Sequence, residues 1–228
     1  MSDLARHAAR LDGAGRGPLN GDELARLVAD NIPPGSYVNL GIGQPTHVSD
    51  FIDPRAGITL HTENGMLGMG PQAHGGDIDL DLINAGKVPV TELPGASYFH
   101  HADSFTIIRG GHLDVSVMGA FQVSVAGDLA NWSTAAPGAV PAVGGAMDLA
   151  VGAKQVFVMM KLFAKDGSSK LVERCTYPLT GVGCVTKVFT DYGVFAIRAD
   201  GVTVEATYGL DIDELRRRVE ALALEPQR

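Results

Sequence analysis

Residues 57–70 read GITLHTENGMLGMG. The first half carries apolar Ile58 and Leu60 in alternation with polar positions, the pattern of a half-buried strand, and it delivers Glu63 at its carboxyl end. The second half places glycine at 65, 68 and 70, and reads as a glycine-rich turn. Glycine serves where φ must be positive or where something must approach the main chain closely. A single carboxylate at the edge of so much bare backbone is either a solvated turn residue or an acid held up to a ligand.

Working outward, residues 1–20 are polar and glycine-rich, a mobile or edge-packing N-terminal arm. GDELARLVADNI, residues 21–32, has Leu24, Leu27, Val28 and Ile32 at helical spacing with acids in its first turn, and PPG ends it. SYVNLGIG (36–43) is a buried strand running into a glycine turn, followed by a short helix in QPTHVSDFI. ASYFHHADSFTIIRGG turns helical towards its end. HLDVSVMGAFQVS and GDLANW read as strands, and AMDLAVGAKQVFVMM as a short helix leading into an apolar strand. AKDGSSK is a hairpin tip, VFAIRADGVTVEAT a hairpin, and DIDELRRRVEALAL a closing helix with Asp211 and Glu214 near a capping-box spacing and Leu215, Val219 and Leu222 on one face. Strands separated by short helices, then late hairpins, predict an α/β fold: a mixed, mostly parallel open sheet with helices on both faces. With no linker or repeat in sight, residues 21–228 read as one domain.

Of the 228 residues, 45% are hydrophobic and 19% charged, enough apolar material for a substantial core. The net charge of −8 disfavours a nucleic-acid partner. Cys175 and Cys184 are too few for a disulfide framework and match no metal motif, so they read as buried, reduced thiols. No apolar run reaches membrane-spanning length and the first twenty residues lack an apolar signal core, which predicts a cytoplasmic protein without a membrane partner.

Three glycine-rich turns, at 39–45, 62–71 and 142–148, fall where ligands gather in open α/β sheets, outside the carboxyl ends of strands. GIGQP is not a dinucleotide fingerprint. Together the turns describe a crevice lined with backbone N–H groups around one carboxylate. Acyl transfer needs that combination: an attacking group, and donors aimed at the oxygen that becomes negative.

TENGMLGMGP, preceded by VNLGIGQPTHVSDFI and followed by DLINAGKVPVTELPGASYF, resembles the second-half (B) subunit of family I coenzyme A transferases, which have a NagB/RpiA-like fold. The similarity continues through IRGGHLDVSVMGAFQVSVAGDLANW, AVGGAMDLAVGAK, CTYPLTGVGCV and FTDYGVF, about residues 20 to 220. Within the family, ELPGASYFHHADSF and AFQVSVAGDLANWSTAAPGAVPAVGGAMDLA are most similar to the branch that acts on 3-oxoadipate; the acetoacetate (3-oxoacid) branch is the neighbouring alternative. The resemblance implies that Glu63 is the nucleophile, with coenzyme A as substrate and covalent intermediate and no permanently bound cofactor or metal. It implies oxyanion donors at the backbone of Asn39 and Gly144, with Gly145 as fallback, and contacts to CoA or substrate from Gly41, Gly43, Asn64, Gly65 and Lys87. The CoA signature of the family's first-half (A) subunit is missing from this chain. The resemblance therefore implies a separately encoded first-half CoA-transferase partner in a heterodimer or heterotetramer, acting on acyl-CoA and 3-oxo acid substrates.

Lys87 reads equally as a solvated loop residue. His47, His61 and His112 lie near turns without a carboxylate spaced for a triad, and read as structural. His100, His101 and Arg109 are candidates for holding a second substrate carboxylate, although Arg109 reads first as a helix-end cation. Trp132 reads as core. Two rival functions are a CoA-thioester hydrolase using water as acceptor, and a non-catalytic ligand-sensing module on the same scaffold.

Overall fold

A computed structural model describes residues 17–222 apart from 137, 139 and 142. Most of the predicted arm (1–16), the end of the closing segment (223–228) and the first residue of the 142–148 turn therefore lie outside the described residues. The last part of the arm is built into the fold. Leu19 N–H donates to Asp191 O at 2.8 Å, and Asn20 caps helix α1, Gly21–Asn31. Its Oδ1 accepts from the N–H groups of Asp22 and Glu23, and Glu23 accepts in return from Asn20 N–H at 2.9 Å. Such a reciprocal cap is worth about 1 kcal/mol.

The main sheet has nine strands: β1 (Tyr37–Leu40), β2 (Thr59–Thr62), β3 (Met66–Gln72), β4 (Val90–Tyr98), β5 (Val115–Met118), β8 (Gln155–Met160), β10 (Val185–Thr190), β11 (Gly193–Arg198) and β12 (Gly201–Thr207). Their order is β12-β11-β10-β8-β5-β1-β2-β3-β4. The run from β10 to β2 is parallel. An antiparallel pair extends it at each side, β3-β4 at one and β11-β12 at the other. A small second sheet joins β6 (Gln122–Ser124), β7 (Leu129–Ala130) and β9 (Leu171–Val172) in the order β7-β6-β9.

The central strands are buried on both faces, and alternation sorts their apolar side chains into two cores, with polar Asn39, His61 and Ser116 among the buried residues. Phe157 and Met159 of β8 pack with Val38, Leu40, Phe189 and the buried stripe of α1, Leu24, Leu27 and Val28. Val156, Val158 and Met160 point the other way, with Val188 and Phe195, onto Ile108 of α2 (His101–Arg109), Leu149 of α3 (Ala146–Gly152) and Leu215 of α4 (Ile212–Arg218). Helices therefore cover both faces, and each fully buried large side chain contributes about 1.5–3 kcal/mol.

Three elements differ from the sequence reading in extent. The segment after Glu63 is not a long glycine turn. The turn is confined to 63–65, and Met66–Gln72 returns as β3. Its glycines sit at irregularities of the pairing with β4, between Leu67 and Met69 and between Met69 and Gln72, with Gly68 at φ +83°. Bulges of this kind remove the period of two by which a strand is recognised. Residues Gln44–Phe51, read as a short helix, are 3₁₀, starting after Gly43 at φ +85° with Pro45 in the first turn. The closing helix stops at Arg218 and Glu220–Leu222 continues as 3₁₀, although Asp211 caps the start through Glu214 N–H at 2.7 Å.

Candidate active site

Glu63 occupies the β2–β3 turn, at the carboxyl end of a parallel strand. Gly65 N–H donates to Thr62 O at 3.1 Å, and Thr62 Oγ1 accepts from Met66 N–H at 3.2 Å. Gly65 has φ +114°, and a Cβ there would lie 2.1 Å from Phe99 O, so no other residue fits. Asn64, exposed beside it, donates from Nδ2 to Ile83 O at 2.7 Å and ties the turn to the loop that ends in Lys87.

Gly145 faces the acid. A Cβ on Gly145 would lie 2.8 Å from Glu63 Oε2 and 2.9 Å from Phe105 Cζ. His101, in the first turn of α2, meets the edge of the Phe105 ring with centroids 5.0 Å apart. Burial raises the Glu63 pKa above its ordinary value of 4.5; the charge of His101 lowers it and that of Asp148 raises it. No hydrogen bond reaches the Glu63 carboxylate among the described residues. A partly desolvated, unpaired carboxylate is more basic, and hence more nucleophilic, than one held by donors.

The other sequence candidates lie around this point. Gly144, exposed at φ +48°, and Gly145 lead into α3. Asn39 sits inside β1 with Cα partners His61 on β2 and Ser116 on β5, and its side chain is buried. Gly41 N–H is committed to Val117 O at 2.8 Å, where a Cβ would lie 3.0 Å from the same oxygen. Gly43 is exposed at the start of the 3₁₀ segment. A small cleft beside Glu63 is bounded by Thr46, Met69, Asn84 and Gly86. Lys87, one residue further on, is exposed at φ 64° and its N–H donates to Asn84 O at 2.9 Å.

Of the three candidates for a second carboxylate, two are engaged elsewhere. Arg109 pairs with Asp148 through Nε–Oδ1 at 2.7 Å, linking α2 to α3, and His100 caps α2 by accepting from Ala102 N–H. His101 remains exposed at the site. His47 and His112 are exposed; Trp132 is half-buried, with Nε1 donating to Leu179 O at 3.1 Å. Cys175 and Cys184 are free and half-buried, and burial pushes each thiol up to about 11. Sequence reasoning missed Ser104 and Phe105; His61, read as structural, is buried in β2 with its Nε2 3.0 Å from Ser104 Oγ. The described residues contain no cluster of three or more His, Cys, Asp or Glu able to hold a metal, and no helix long and apolar enough to cross a membrane.

The sequence profile described as Coenzyme A transferase matches residues 22–208. The chain belongs to the coenzyme A transferase family. It is 56% identical over 200 residues to the B subunit of 3-oxoadipate CoA-transferase from Pseudomonas putida, covering 87% of this chain and 93% of that one. It is 43% identical over 201 residues to the B subunit of succinyl-CoA:3-ketoacid coenzyme A transferase from Helicobacter pylori strain 26695, covering 88% and 96%. An acyl-CoA transferase of Escherichia coli O157:H7, solved as a thioester complex with CoA, superposes with a TM-score of 0.66 at 18% identity over 89% of this chain. The chain spans 41% of the length of that structure, and the likeness is one of fold. This CoA transferase thus carries Glu63 on the turn between β2 and β3, at the end of a parallel strand of its mixed sheet and against Gly145.

Proposed function

We propose that this CoA transferase chain is the second-half (B) subunit of a two-subunit cytoplasmic enzyme that moves CoA from succinyl-CoA to 3-oxoadipate, with Glu63 as nucleophile. The observation that carries the reading is the isolated Glu63 carboxylate, raised in pKa by burial, on a glycine-fixed turn facing Gly145. Glu63 attacks the thioester carbonyl; the C–S bond breaks, and CoA leaves as thiolate from a glutamyl–succinyl anhydride. The thiolate attacks the glutamyl carbonyl, the anhydride C–O bond breaks, and succinate departs, leaving a Glu63–CoA thioester. The carboxylate of 3-oxoadipate then runs the same steps in reverse and restores Glu63. The backbone N–H of Gly144, with that of Gly145 as fallback, is assigned to the oxyanions, whereas the N–H of Asn39 lies within the β5–β1–β2 ladder and is not available to them; loss of one such donor costs about 3–4 kcal/mol of transition-state stabilisation. Gly41, Gly43, Asn64, Gly65 and Lys87 border the path assigned to CoA.

The higher identity to the 3-oxoadipate relative than to the 3-ketoacid relative, 56% against 43%, supports the choice of acceptor. Both relatives are named as B subunits, which supports a separate first-half partner whose surface completes the cleft. The test is to incubate the two-subunit complex with succinyl-CoA and then borohydride. The expected result is inactivation, a modified Glu63 peptide, and parallel double-reciprocal plots. Intersecting plots with an unmodified peptide would exclude the covalent route.

A further inference from the structure

Behind Glu63 lies a chain of buried polar groups, Asn39, His61 and Ser104, whose hydrogen positions follow from the carbonyls at its two ends, while Asn39 Oδ1 is left without a partner among the described residues. Asn39 on β1 places Nδ2 3.1 Å from His61 Nδ1 and 3.2 Å from His61 O. The carbonyl can only accept, so the group facing it is the amide nitrogen, and that nitrogen must also donate to Nδ1. The ring proton then sits on Nε2. The far end fits the same tautomer. Ser104 Oγ lies 3.0 Å from His61 Nε2 and 3.0 Å from Thr62 O. With the ring proton on Nε2, Nε2–H donates to Oγ, and the one hydroxyl proton goes to the Thr62 carbonyl.

Thr62 O is the carbonyl of the peptide bond that enters Glu63. It accepts from Ser104 Oγ on one side and from Gly65 N–H, across the turn, on the other. His61 and Ser104 are 1% and 0% exposed, so no solvent competes for these bonds. One end of the relay is anchored in the interior strand β1, and the other fixes the main chain from which the nucleophile projects. We infer that His61 and Ser104 are positioning residues for Glu63: through the Thr62 carbonyl they set the direction in which its carboxylate meets the thioester. The inference deepens the assignment of Glu63 as nucleophile and rests on it.

The relay predicts that hydrogen bonding, and not ring shape or volume, is what position 61 supplies. Glutamine offers a carbonyl to accept from Asn39 and an amide to donate to Ser104; leucine offers neither. The test measures kcat, KM and the single-turnover rate of CoA labelling at Glu63 for the two-subunit complex with succinyl-CoA, alongside the folded fraction of each variant. Ser104→Ala and His61→Leu are expected to lower kcat and the labelling rate about 10- to 100-fold, the effect of a misplacement of about 1 Å, with KM for succinyl-CoA within about twofold. His61→Gln is expected to recover kcat to within about threefold of wild type. Ser104→Ala labelling at the wild-type rate would overturn the inference alone, as would His61→Gln failing as badly as His61→Leu while folded. A wild-type complex that forms no adduct would overturn the nucleophile and the inference together.

Discussion

Gly145 lies so close to Glu63 that a single methyl group on it would sit 2.8 Å from Oε2. The atoms it meets, Glu63 Oε2 and Phe105 Cζ at 2.9 Å, both end side chains, so the fold can yield by turning Glu63 aside and shifting the Phe105 ring, and what is lost is the aim of the proposed nucleophile. Gly145→Ala is therefore expected to lower kcat about 100-fold while leaving Tm within a few degrees of wild type. Gly65→Ala makes the opposite case. Its Cβ would meet the Phe99 carbonyl at 2.1 Å from a residue held at φ +114°, and neither backbone can give way cheaply. That variant is expected to lose at least about 1–3 kcal/mol to backbone strain alone. Thermal melting and steady-state rates on the two variants separate the effects; equal destabilisation of both would contradict them.

Glu63→Gln is expected to abolish transfer and to stabilise the fold at neutral pH. The carboxyl is raised above 4.5 by burial, so the native state holds its proton longer than the unfolded chain does. As pH rises from 4.5 through the native value, the unfolded state ionises first and stability falls, remaining lower above that value. The amide never ionises and escapes this loss. Melting curves from pH 4 to 8 should show the variant above wild type at the upper end, with the gap closing towards pH 4. A variant less stable than wild type at pH 8 would argue that the site holds the ionised acid comfortably.

His61 gives a second, oppositely signed dependence. Burial lowers its pKa from 6.5 to about 4. As pH falls below 6.5 the unfolded chain takes up the proton while the buried ring stays neutral, so stability drops between pH 6.5 and about 4 and is level below. At 1.36 kcal/mol per pH unit the interval corresponds to roughly 3 kcal/mol. Urea unfolding across this range should show a smaller pH-dependent loss in His61→Gln than in wild type, by roughly that amount. Identical slopes would mean that the ring is hydrated and titrates normally in the native state.

How far the sequence disclosed these features depended on their range along the chain. Helix α1 was legible because Leu24, Leu27 and Val28 repeat with a helical period and are all buried on one side. Glu63 was legible because alternation through Ile58 and Leu60 stops where glycine begins. Strand β3 was hidden by Gly68 and Gly70, whose bulges interrupt the period of two. The relay behind the acid was illegible because it joins positions 43 apart, His61 and Ser104, and nothing local in either segment refers to the other. Arg109, read first as a helix-end cation, does close α2, but its anionic partner Asp148 was illegible for the same reason, lying 39 residues away on a separate helix.

The acceptor depends on what meets its far carboxylate. 3-Oxoadipate carries a second carboxylate that acetoacetate lacks, and a desolvated anion needs a cationic or N–H partner. Arg109 is occupied by Asp148 and His100 by the cap of α2, which leaves His101, exposed and edge-on to Phe105 beside Glu63, as this chain's own candidate. The wild-type complex is expected to favour 3-oxoadipate over acetoacetate in kcat/KM by about tenfold or more, equivalent to ~1.4 kcal/mol. Because succinyl-CoA also carries a distal carboxylate, the role of His101 is best read from the second half-reaction alone. The Glu63–CoA adduct is preformed, freed of succinate, and discharged with each acid in turn. His101→Ala should slow discharge by 3-oxoadipate about tenfold and leave discharge by acetoacetate within about twofold. An equal fall with both acids would mean that His101 acts on Glu63 itself, and an unchanged preference would assign recognition of the distal carboxylate to the first-half partner.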